Sequence, residues 1–191
     1  MMTFNMVRHY VTSVTNDASG ALGSRQAVWG ATYPFTPRYA DRYMPEDPTT
    51  NYITRSYMFG GPWHFMNRLT EMDSPTVAFG QAEIQAYKQI RDRINGGRVF
   101  HLMAAPGPGH TDALESYSAA QDTAVAIITR DGDPSDTADL RLRGLYEGQT
   151  YQVRFQNDPR VLTMSGDEPM RQGIRVYLPD PQSAEIVYAG R

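Results

Sequence analysis

The side chains that could carry chemistry in this sequence are few and scattered. No two of its four histidines show the four-residue helical spacing or the adjacent acid of a metal site; they are His9, His64, His101 and His110. The chain contains no cysteine, which excludes a thiol nucleophile and a thiolate ligand. A phosphate loop and a Gly-x-Ser-x-Gly nucleophile turn are also absent from the sequence. The residues therefore predict no metal, no cofactor and no serine nucleophile.

Among the carboxylates, Asp17 has the most suggestive setting. It follows Asn16 after residues 4–14, a stretch whose Phe, Val and Tyr content favours a β-strand. General acid and base chemistry takes a second, suitably placed carboxylate, and none is close to Asp17 in the sequence. From the residues alone, the pair Asn16-Asp17 is more typical of a turn than of a site.

The composition is that of an ordinary globular chain. Its 191 residues are 40% hydrophobic and 20% charged, with a formal net charge of -3. No cluster of Lys and Arg suits a phosphate backbone, and no apolar run approaches the roughly 20 residues that span a bilayer. We therefore expect neither nucleic acid nor a membrane as a partner. The lack of a signal-peptide pattern and of cysteine favours a cytoplasmic location.

The first half of the chain has a mixed helix and strand pattern. The predicted elements are a strand over residues 4–14, a helix over 21–31, an extended surface connection over 39–51, and a short helix and a short strand on either side of 60–62. The clearest helix begins with Ser74 as its N-cap and Pro75 at its first position. It runs to Asn95 and ends at Gly96-Gly97.

Residues 52–69 are unusually aromatic and have two interpretations. The aromatic side chains are Tyr52, Tyr57, Phe59, Trp63 and Phe65. Such rings stack well on sugars, but near the ends of elements they more often pack in a core or between domains. We favour packing.

After Gly97 the pattern changes to short strands separated by turns. Seven strands are predicted, over residues 99–103, 114–118, 123–129, 139–145, 150–156, 173–178 and 184–188. Within residues 138–156, alternating apolar side chains flank a bend at Glu147-Gly148. This pattern predicts a β-hairpin with one apolar, buried face. Seven short strands at this spacing indicate an antiparallel sandwich or barrel. The predicted fold class is α/β over residues 1–97, followed by all-β over residues 98–191.

Three blocks of sequence, taken in order, carry a family resemblance. The last and most specific comprises LRLRGLYEGQTYQVRF at 140–155, a turn at 162–166, EPM at 168–170, GIRV at 173–176 before Leu178-Pro179, and SAEIV at 183–187. The middle block runs from GGPW at 60–63 through the long helix to RVFHL at 98–102. The first is VTSVTND at 11–17, leading into RQAVWG at 25–30. Together they resemble the C-terminal part of an α-galactosidase-like glycoside hydrolase of the melibiase, or family 36, group.

This resemblance implies a two-part architecture. Residues 1–97 would be the last strands and helices of a TIM barrel, which is incomplete in this chain. Residues 98–191 would be the C-terminal antiparallel β-sandwich domain. The activity implied for the full-length parent is hydrolysis of terminal α-galactosyl or related O-glycosidic bonds.

The resemblance also implies where catalysis takes place. The first block is similar to the loop that carries the family's acid/base aspartate, where Ser-Asp-x-x-Asp is usual, yet here Ser13 is followed by Val14. Asp17 matches the second acid of that motif, so it is the acid/base candidate, or else it caps the following turn. A retaining mechanism takes two carboxyl groups about 5 to 5.5 Å apart. Because the family's nucleophile lies on an earlier strand, we expect the isolated chain to lack it and to be inactive.

The implied partners follow from this arrangement. The full-length parent would bind an oligosaccharide or glycoside substrate. Two or three strands of a barrel leave open edges, so we expect a homo-oligomer or a complementing N-terminal barrel half. The alternative is a non-catalytic carbohydrate-binding or scaffold β-sandwich, whose saccharide binding would depend on Trp63.

Overall fold

The computed structural model describes residues 20–191, and β-strands dominate it. The helices in this part of the chain are α1 (Gly20–Ala31), α2 (Asn51–Arg55), α3 (Ser74–Gly96) and α4 (Asp167–Arg171). The strands in this part are β1 (Arg42–Met44), β2 (Trp63–Phe65), β3 (Arg98–His101), β4 (His110–Ser118), β5 (Thr123–Asp131), β6 (Thr137–Leu140), β7 (Thr150–Phe155), β8 (Val161–Ser165), β9 (Ile174–Tyr177) and β10 (Gln182–Gly190). Single 3-10 turns lie at Pro37–Tyr39 and Leu69–Glu71. The strand predicted over residues 4–14 and the candidate Asp17 lie outside the described residues.

The strands of residues 20–191 form three sheets. The largest has six antiparallel strands in the order β3-β4-β5-β10-β7-β8. Strands β6 and β9 form an antiparallel pair. Strands β1 and β2 form a parallel pair, with Arg42 opposite Trp63 and Met44 opposite Phe65.

One face of the six-stranded sheet packs on the β6–β9 pair to make an antiparallel sandwich. Fully buried side chains of this core come from both sheets and from the segment after β6: Ile128, Tyr151, Val153, Leu140, Leu142, Ile174 and Val176. Successive side chains of a strand point to opposite faces, so every second residue of β5, β7 and β10 faces this core. The result is an aliphatic layer between two sheets.

The hairpin predicted over residues 138–156 is wrong in its pairing. Strand β6 pairs with β9, whereas β7 pairs with β10 and β8, so the two strands belong to opposite sheets. Their apolar faces are as predicted, because Leu140 and Leu142 lie in one core cluster with Tyr151 and Val153. Alternation identifies the buried face of a strand and leaves its pairing partner open.

Two further segments differ from the sequence prediction. Residues 162–166 were expected to form a turn, but β8 lies there and pairs with β7 along its whole length. Residues 39–51 were expected to form a surface connection, but they contain β1, in which Arg42 and Met44 are buried. The strand is three residues long and precedes Pro45, so loop-forming residues dominate the composition of the segment.

The long helix is confirmed, with a correction at its start. Helix α3 spans Ser74–Gly96, but its N-cap is Asp73, whose carboxylate accepts a hydrogen bond from the backbone N–H of Thr76 at 2.8 Å. Pro75 lies within the first turn, where its missing N–H does no harm. Among residues 20–191 no helix combines the length and apolar character needed to cross a membrane.

The helices α1, α2 and α3 cover the other face of the six-stranded sheet. Apolar side chains of α1, of α3 and of the segment after α2 pack against those of β4, β5 and β10 in one cluster: Val28, Trp29, Met58, Phe59, Tyr87, Ile90 and Ile94 with Leu114, Val125, Ile127 and Ile186. The sheet is therefore buried on both faces in its centre. This cluster crosses the boundary predicted between residues 97 and 98, and the division into two domains stays a prediction.

The packing interpretation of the aromatic residues 52–69 is confirmed. Tyr52, Tyr57 and Phe59 are each less than a tenth exposed. Trp63 is half-buried, with its ring 5.4 Å from that of Tyr87 in an edge-on arrangement. These rings fill the space between the helices and the parallel strand pair.

Candidate functional site

The carboxyl ends of β1 and β2 form the most promising edge of the described fold. Both strands run in the same direction, so the loops that follow them, which begin at Pro45 and Met66, emerge side by side. In parallel sheets and barrels, binding and catalytic groups collect at this end of the strands. The residues after Met44 and Phe65 are therefore the first place to look for a site.

Glu46 is a carboxylate at this edge. Its Oε1 accepts a hydrogen bond from the backbone N–H of Ala21 at 3.0 Å, and its Oε2 accepts one from the Tyr57 hydroxyl at 2.6 Å. The first contact puts negative charge at the N-terminus of α1, where the helix dipole favours it. Burial, followed by the bond to Glu46, raises the pKa of Tyr57 well above its ordinary value, which keeps the hydroxyl a donor. Glu46 thus fixes the start of α1 relative to β1.

A second set of contacts joins the two loops beyond the strands. The side-chain amide of Asn67 donates to the backbone carbonyl of Pro45 and to the carboxylate of Asp47, both at 3.0 Å. On the strands themselves, the rings of Tyr43 and His64 stack with centroids 4.5 Å apart. The edge therefore offers the exposed carboxylate of Asp47, the exposed imidazole of His64 and the half-buried amide of Asn67, which joins the two loops.

Arg25 links α1 to the six-stranded sheet through buried charges. Its Nε lies 3.0 Å from Asp112 Oδ2, and its Nη2 lies 2.7 Å from Asp131 Oδ2. Tyr52 donates to the same oxygen of Asp131 at 2.8 Å, and the Arg25 guanidinium lies over the Tyr52 ring. Burial raises the pKa of Asp112 to about 6, although Arg25 opposes the shift. All four groups are enclosed, so they hold the layers together rather than meet a ligand.

Arg55 has the same role for α2 and α3. Its Nε and Nη2 donate to the two carboxylate oxygens of Glu83 at 3.0 and 2.9 Å, a bidentate arrangement. Its Nη1 donates to the backbone carbonyl of Ala184 at 2.7 Å and lies 3.4 Å from Glu185. The side chain is 1% exposed. One arginine therefore joins two helices and β10.

The outcome for the predicted site residues is mixed. Asp17 precedes the first residue of α1 by three positions in the sequence, outside the described residues. Trp63, the ring on which the carbohydrate-binding alternative depends, packs against Phe65 at 4.6 Å and against Tyr87. Within residues 20–191 no three His, Asp or Glu side chains are gathered in a way that would hold a metal ion.

Glu46 is the residue that the sequence analysis missed. Its segment was predicted to be a surface connection because of its prolines and acids. The signal that could have found it is its position as an acid two residues after a short strand that ends at Met44, directly after Pro45. The buried partners of Arg25 and Arg55 are distant in the sequence, and no local pattern marks them.

Known proteins resemble this chain in structure and not in sequence. No protein-family model matches it, and no curated protein sequence matches it. An α-galactosidase from Lactobacillus brevis is similar to it, with 19% identity and a TM-score of 0.78 over 97% of this chain and 27% of that one. The galactosidase domain of the α-galactosidase-sucrose kinase AgaSK matches with 19% identity and a TM-score of 0.78, over 97% and 26%.

A third similar structure contains a bound saccharide. It is a variant of the GH36 α-galactosidase AgaA from Geobacillus stearothermophilus in complex with raffinose, with 15% identity and a TM-score of 0.77 over 97% of this chain and 26% of that one. This chain thus spans about a quarter of the length of each of these structures. The likeness predicted from the sequence is confirmed at the level of the fold: this chain folds as a part of the GH36 α-galactosidases does, consistent with their C-terminal region.

Proposed function

We propose that these residues form the C-terminal part of an α-galactosidase-like retaining glycoside hydrolase, whose complete form hydrolyses terminal α-galactosyl or related glycosides. The observation that carries the proposal is the match in fold over 97% of the chain to several α-galactosidases. Structures of one of them contain raffinose or stachyose. The substrate of the complete enzyme would accordingly be an oligosaccharide or a simpler glycoside.

The parallel strand pair supports a barrel origin for the first part of the chain. Strand β1 is followed by α2, and β2 is followed by α3, which is the strand-helix repeat of a TIM barrel. Within residues 20–191, β1 and β2 pair only with each other, so each has a second edge without a strand neighbour. In this proposal, further barrel strands pair with those edges, and the carboxyl ends of all the strands form the active site.

Asp17 and Glu46 have different roles in this proposal. Asp17, just before α1, is the acid/base candidate. Glu46 is a positioning residue, since both of its oxygens are engaged, one by the first turn of α1 and the other by Tyr57. A retaining mechanism takes a second free carboxylate about 5 to 5.5 Å from the first. We propose that this second group comes from the other barrel strands, so that the 191 residues alone do not turn over glycosides.

Turnover of p-nitrophenyl α-galactoside tests the proposal. The purified 191-residue chain should release no nitrophenol above the buffer rate, while a complete GH36 α-galactosidase assayed in parallel hydrolyses the substrate. Robust turnover that is lost in Asp17→Ala and kept in the neighbouring control Asn16→Ala would contradict it. That result would show a complete site within these residues.

The source of the other barrel strands can be tested separately. The DNA upstream of Met1 should encode, in frame, further barrel strands and a strand-end Asp, or else a separate gene should encode them. In the second case the two polypeptides, when co-expressed, should co-purify. Failure to co-purify would reject complementation between separate chains and leave only the in-frame arrangement.

A further inference from the structure

An open groove lies on the side of the six-stranded sheet that α3 covers only in part. Its volume is about 490 Å³, within the range of roughly 300 to 1,000 Å³ that small-ligand pockets occupy. The helix α3 forms one wall, and strands β7 and β10 form the floor and the other wall. The groove is separate from the carboxyl edge of β1 and β2, and Glu46 does not line it.

The polar side chains of this groove are cationic or neutral. No Asp or Glu side chain of residues 20–191 lines the groove. Its polar side chains include three arginines and three glutamines: Arg93, Arg154, Arg191, Gln89, Gln152 and Gln156. This is a local excess of positive charge in a chain whose net charge is -3.

Two of the three arginines have no ion-pair partner in the described part of the chain. Arg191 lies 2.5 Å from Asp122 and is paired with it. Arg154 donates a weak bond to the neutral Gln152 side chain at 3.5 Å. Among the residues that the structure describes, neither Arg93 nor Arg154 has a carboxylate within salt-bridge distance. By contrast, the exposed Arg171 lies 2.9 Å from Glu147.

The backbone places these groups around an aromatic floor. Arg154 on β7 is directly opposite Tyr188 on β10, and Gln152 is opposite Gly190. The Tyr188 hydroxyl donates to Gln156 Oε1 at 2.7 Å. Burial raises the pKa of Tyr188 to about 12, so the hydroxyl remains a neutral donor. On α3, Gln89 and Arg93 are one turn apart and face the same groove.

We propose that this groove binds a small sugar that carries an oxyanion. The guanidinium groups of Arg93 and Arg154 would bind the phosphate or carboxylate, since arginine forms the strongest contacts with such groups. The glutamine amides would bind sugar hydroxyl groups, and the Tyr188 ring would contact the apolar face of the sugar. The proposal does not depend on glycosidase activity.

Calorimetric titration of the 191-residue chain tests the proposal. The probes are glucose 6-phosphate, glucuronate, inorganic phosphate and glucose. We expect saturable binding of at least one of the two charged sugars and no measurable binding of glucose. We expect Arg93→Gln and Arg154→Gln each to weaken that binding by about tenfold, because each variant loses one charge-assisted contact. Arg154 is exposed, so its replacement should leave the fold intact. Arg141→Gln, an exposed change in the loop after β6, should leave binding unchanged.

The four probes distinguish which kind of ligand the groove binds. Preference for glucose 6-phosphate identifies a phosphorylated sugar, and preference for glucuronate identifies a carboxylated one. Inorganic phosphate that binds as tightly as glucose 6-phosphate would contradict the sugar contacts. Absence of saturable binding, or binding that the Arg93→Gln/Arg154→Gln double variant leaves unchanged while its circular dichroism shows an intact fold, would overturn the proposal.

Discussion

The two faces of the six-stranded sheet are held to their neighbours by different forces. On the face toward β6 and β9, aliphatic side chains such as Ile128, Val153 and Val176 fill the space between the sheets. On the face toward the helices, an apolar cluster is supplemented by the buried ion pairs of Arg25 and Arg55. The sandwich interface is therefore mainly hydrophobic and contains the buried carboxyl group of Glu115, while the helical layer also depends on ion pairs.

This difference predicts different tolerance to mutation. A hydrophobic layer adapts to changes that conserve volume, which typically cost less than about 1.5 kcal/mol. A buried ion pair does not adapt to the loss of one partner, because an uncompensated charge then stays in a medium of low dielectric constant. Single substitutions should therefore separate the helical layer from the sheet more readily than they open the sandwich.

The largest effect is expected from Arg55→Met. The substitution leaves the carboxylates of Glu83 and Glu185 buried without their cation. Breaking a buried pair in this way costs roughly 3 to 5 kcal/mol. Urea unfolding followed by tryptophan fluorescence should show this loss of stability. The chain has two tryptophans, Trp29 and Trp63, and both lie on the helical side of the sheet.

A double variant provides the control for this prediction. Arg55→Met combined with Glu83→Leu removes both partners of the closest pair and should recover part of the lost stability. If Arg55→Met changes the free energy of unfolding by less than about 1 kcal/mol, the value typical of surface pairs, the ion pair does not hold the helical layer.

The substitution Glu115→Gln in the sandwich should increase stability, by an amount smaller than the loss expected from Arg55→Met. Glu115 is completely buried, and its Oε2 accepts a hydrogen bond from the backbone N–H of Arg143 at 2.7 Å. Burial raises its pKa well above the ordinary value. The protonated form is favoured in the folded state, so wild-type stability is greatest below the pKa of the unfolded chain and falls as pH rises above it. Glutamine does not titrate and avoids this loss.

The measurement is the free energy of unfolding of the wild-type protein and of Glu115→Gln between pH 4 and pH 8. The advantage of Glu115→Gln should grow across this range to about 1 to 3 kcal/mol, the cost of a poorly satisfied buried group. An advantage that stays constant with pH would show that Glu115 does not titrate with a raised pKa. Glu147→Gln, a change at an exposed residue, is the matched control and should show little dependence on pH.

The smallest effect is expected at the start of α3. Asp73→Ala removes the carboxylate that accepts from the backbone N–H of Thr76, and the loss of such a cap costs about 1 kcal/mol. Ser74→Ala, at the neighbouring position that the sequence analysis chose as the cap, should cost a few tenths at most. Thermal unfolding of the two variants compares them, and a larger loss for Ser74→Ala would contradict the observed cap.

The sequence was sufficient to predict those parts of the fold that depend on neighbouring residues. The N-terminal Pro75 and the terminal glycines delimit α3, and alternation identifies the buried faces of β6 and β7. The pairing of those strands was not predictable, because residues 141–149 carry the chain across the core and alternation is the same for either partner. Strand β8 was missed because residues 162–166, which include most of it, were interpreted as a turn.

The candidate site was less predictable than the fold. Glu46 acts through Ala21 and Tyr57, which precede and follow it at distances that no short motif covers. The carboxylate partners of Arg25 lie in β4 and β5, more than eighty positions along the chain. Such contacts join residues that are distant in the sequence and meet only in the folded protein. No periodic pattern in the sequence therefore marks them.

Trapping of a covalent intermediate tests the central claim most directly. A fluorinated galactosyl fluoride labels a retaining glycosidase by leaving a slowly hydrolysed glycosyl ester on its nucleophile. Intact-mass spectrometry should show one adduct on a complete GH36 α-galactosidase and none on the 191-residue chain. A stoichiometric adduct on the 191-residue chain would contradict the account, because it would show that the nucleophile is already present.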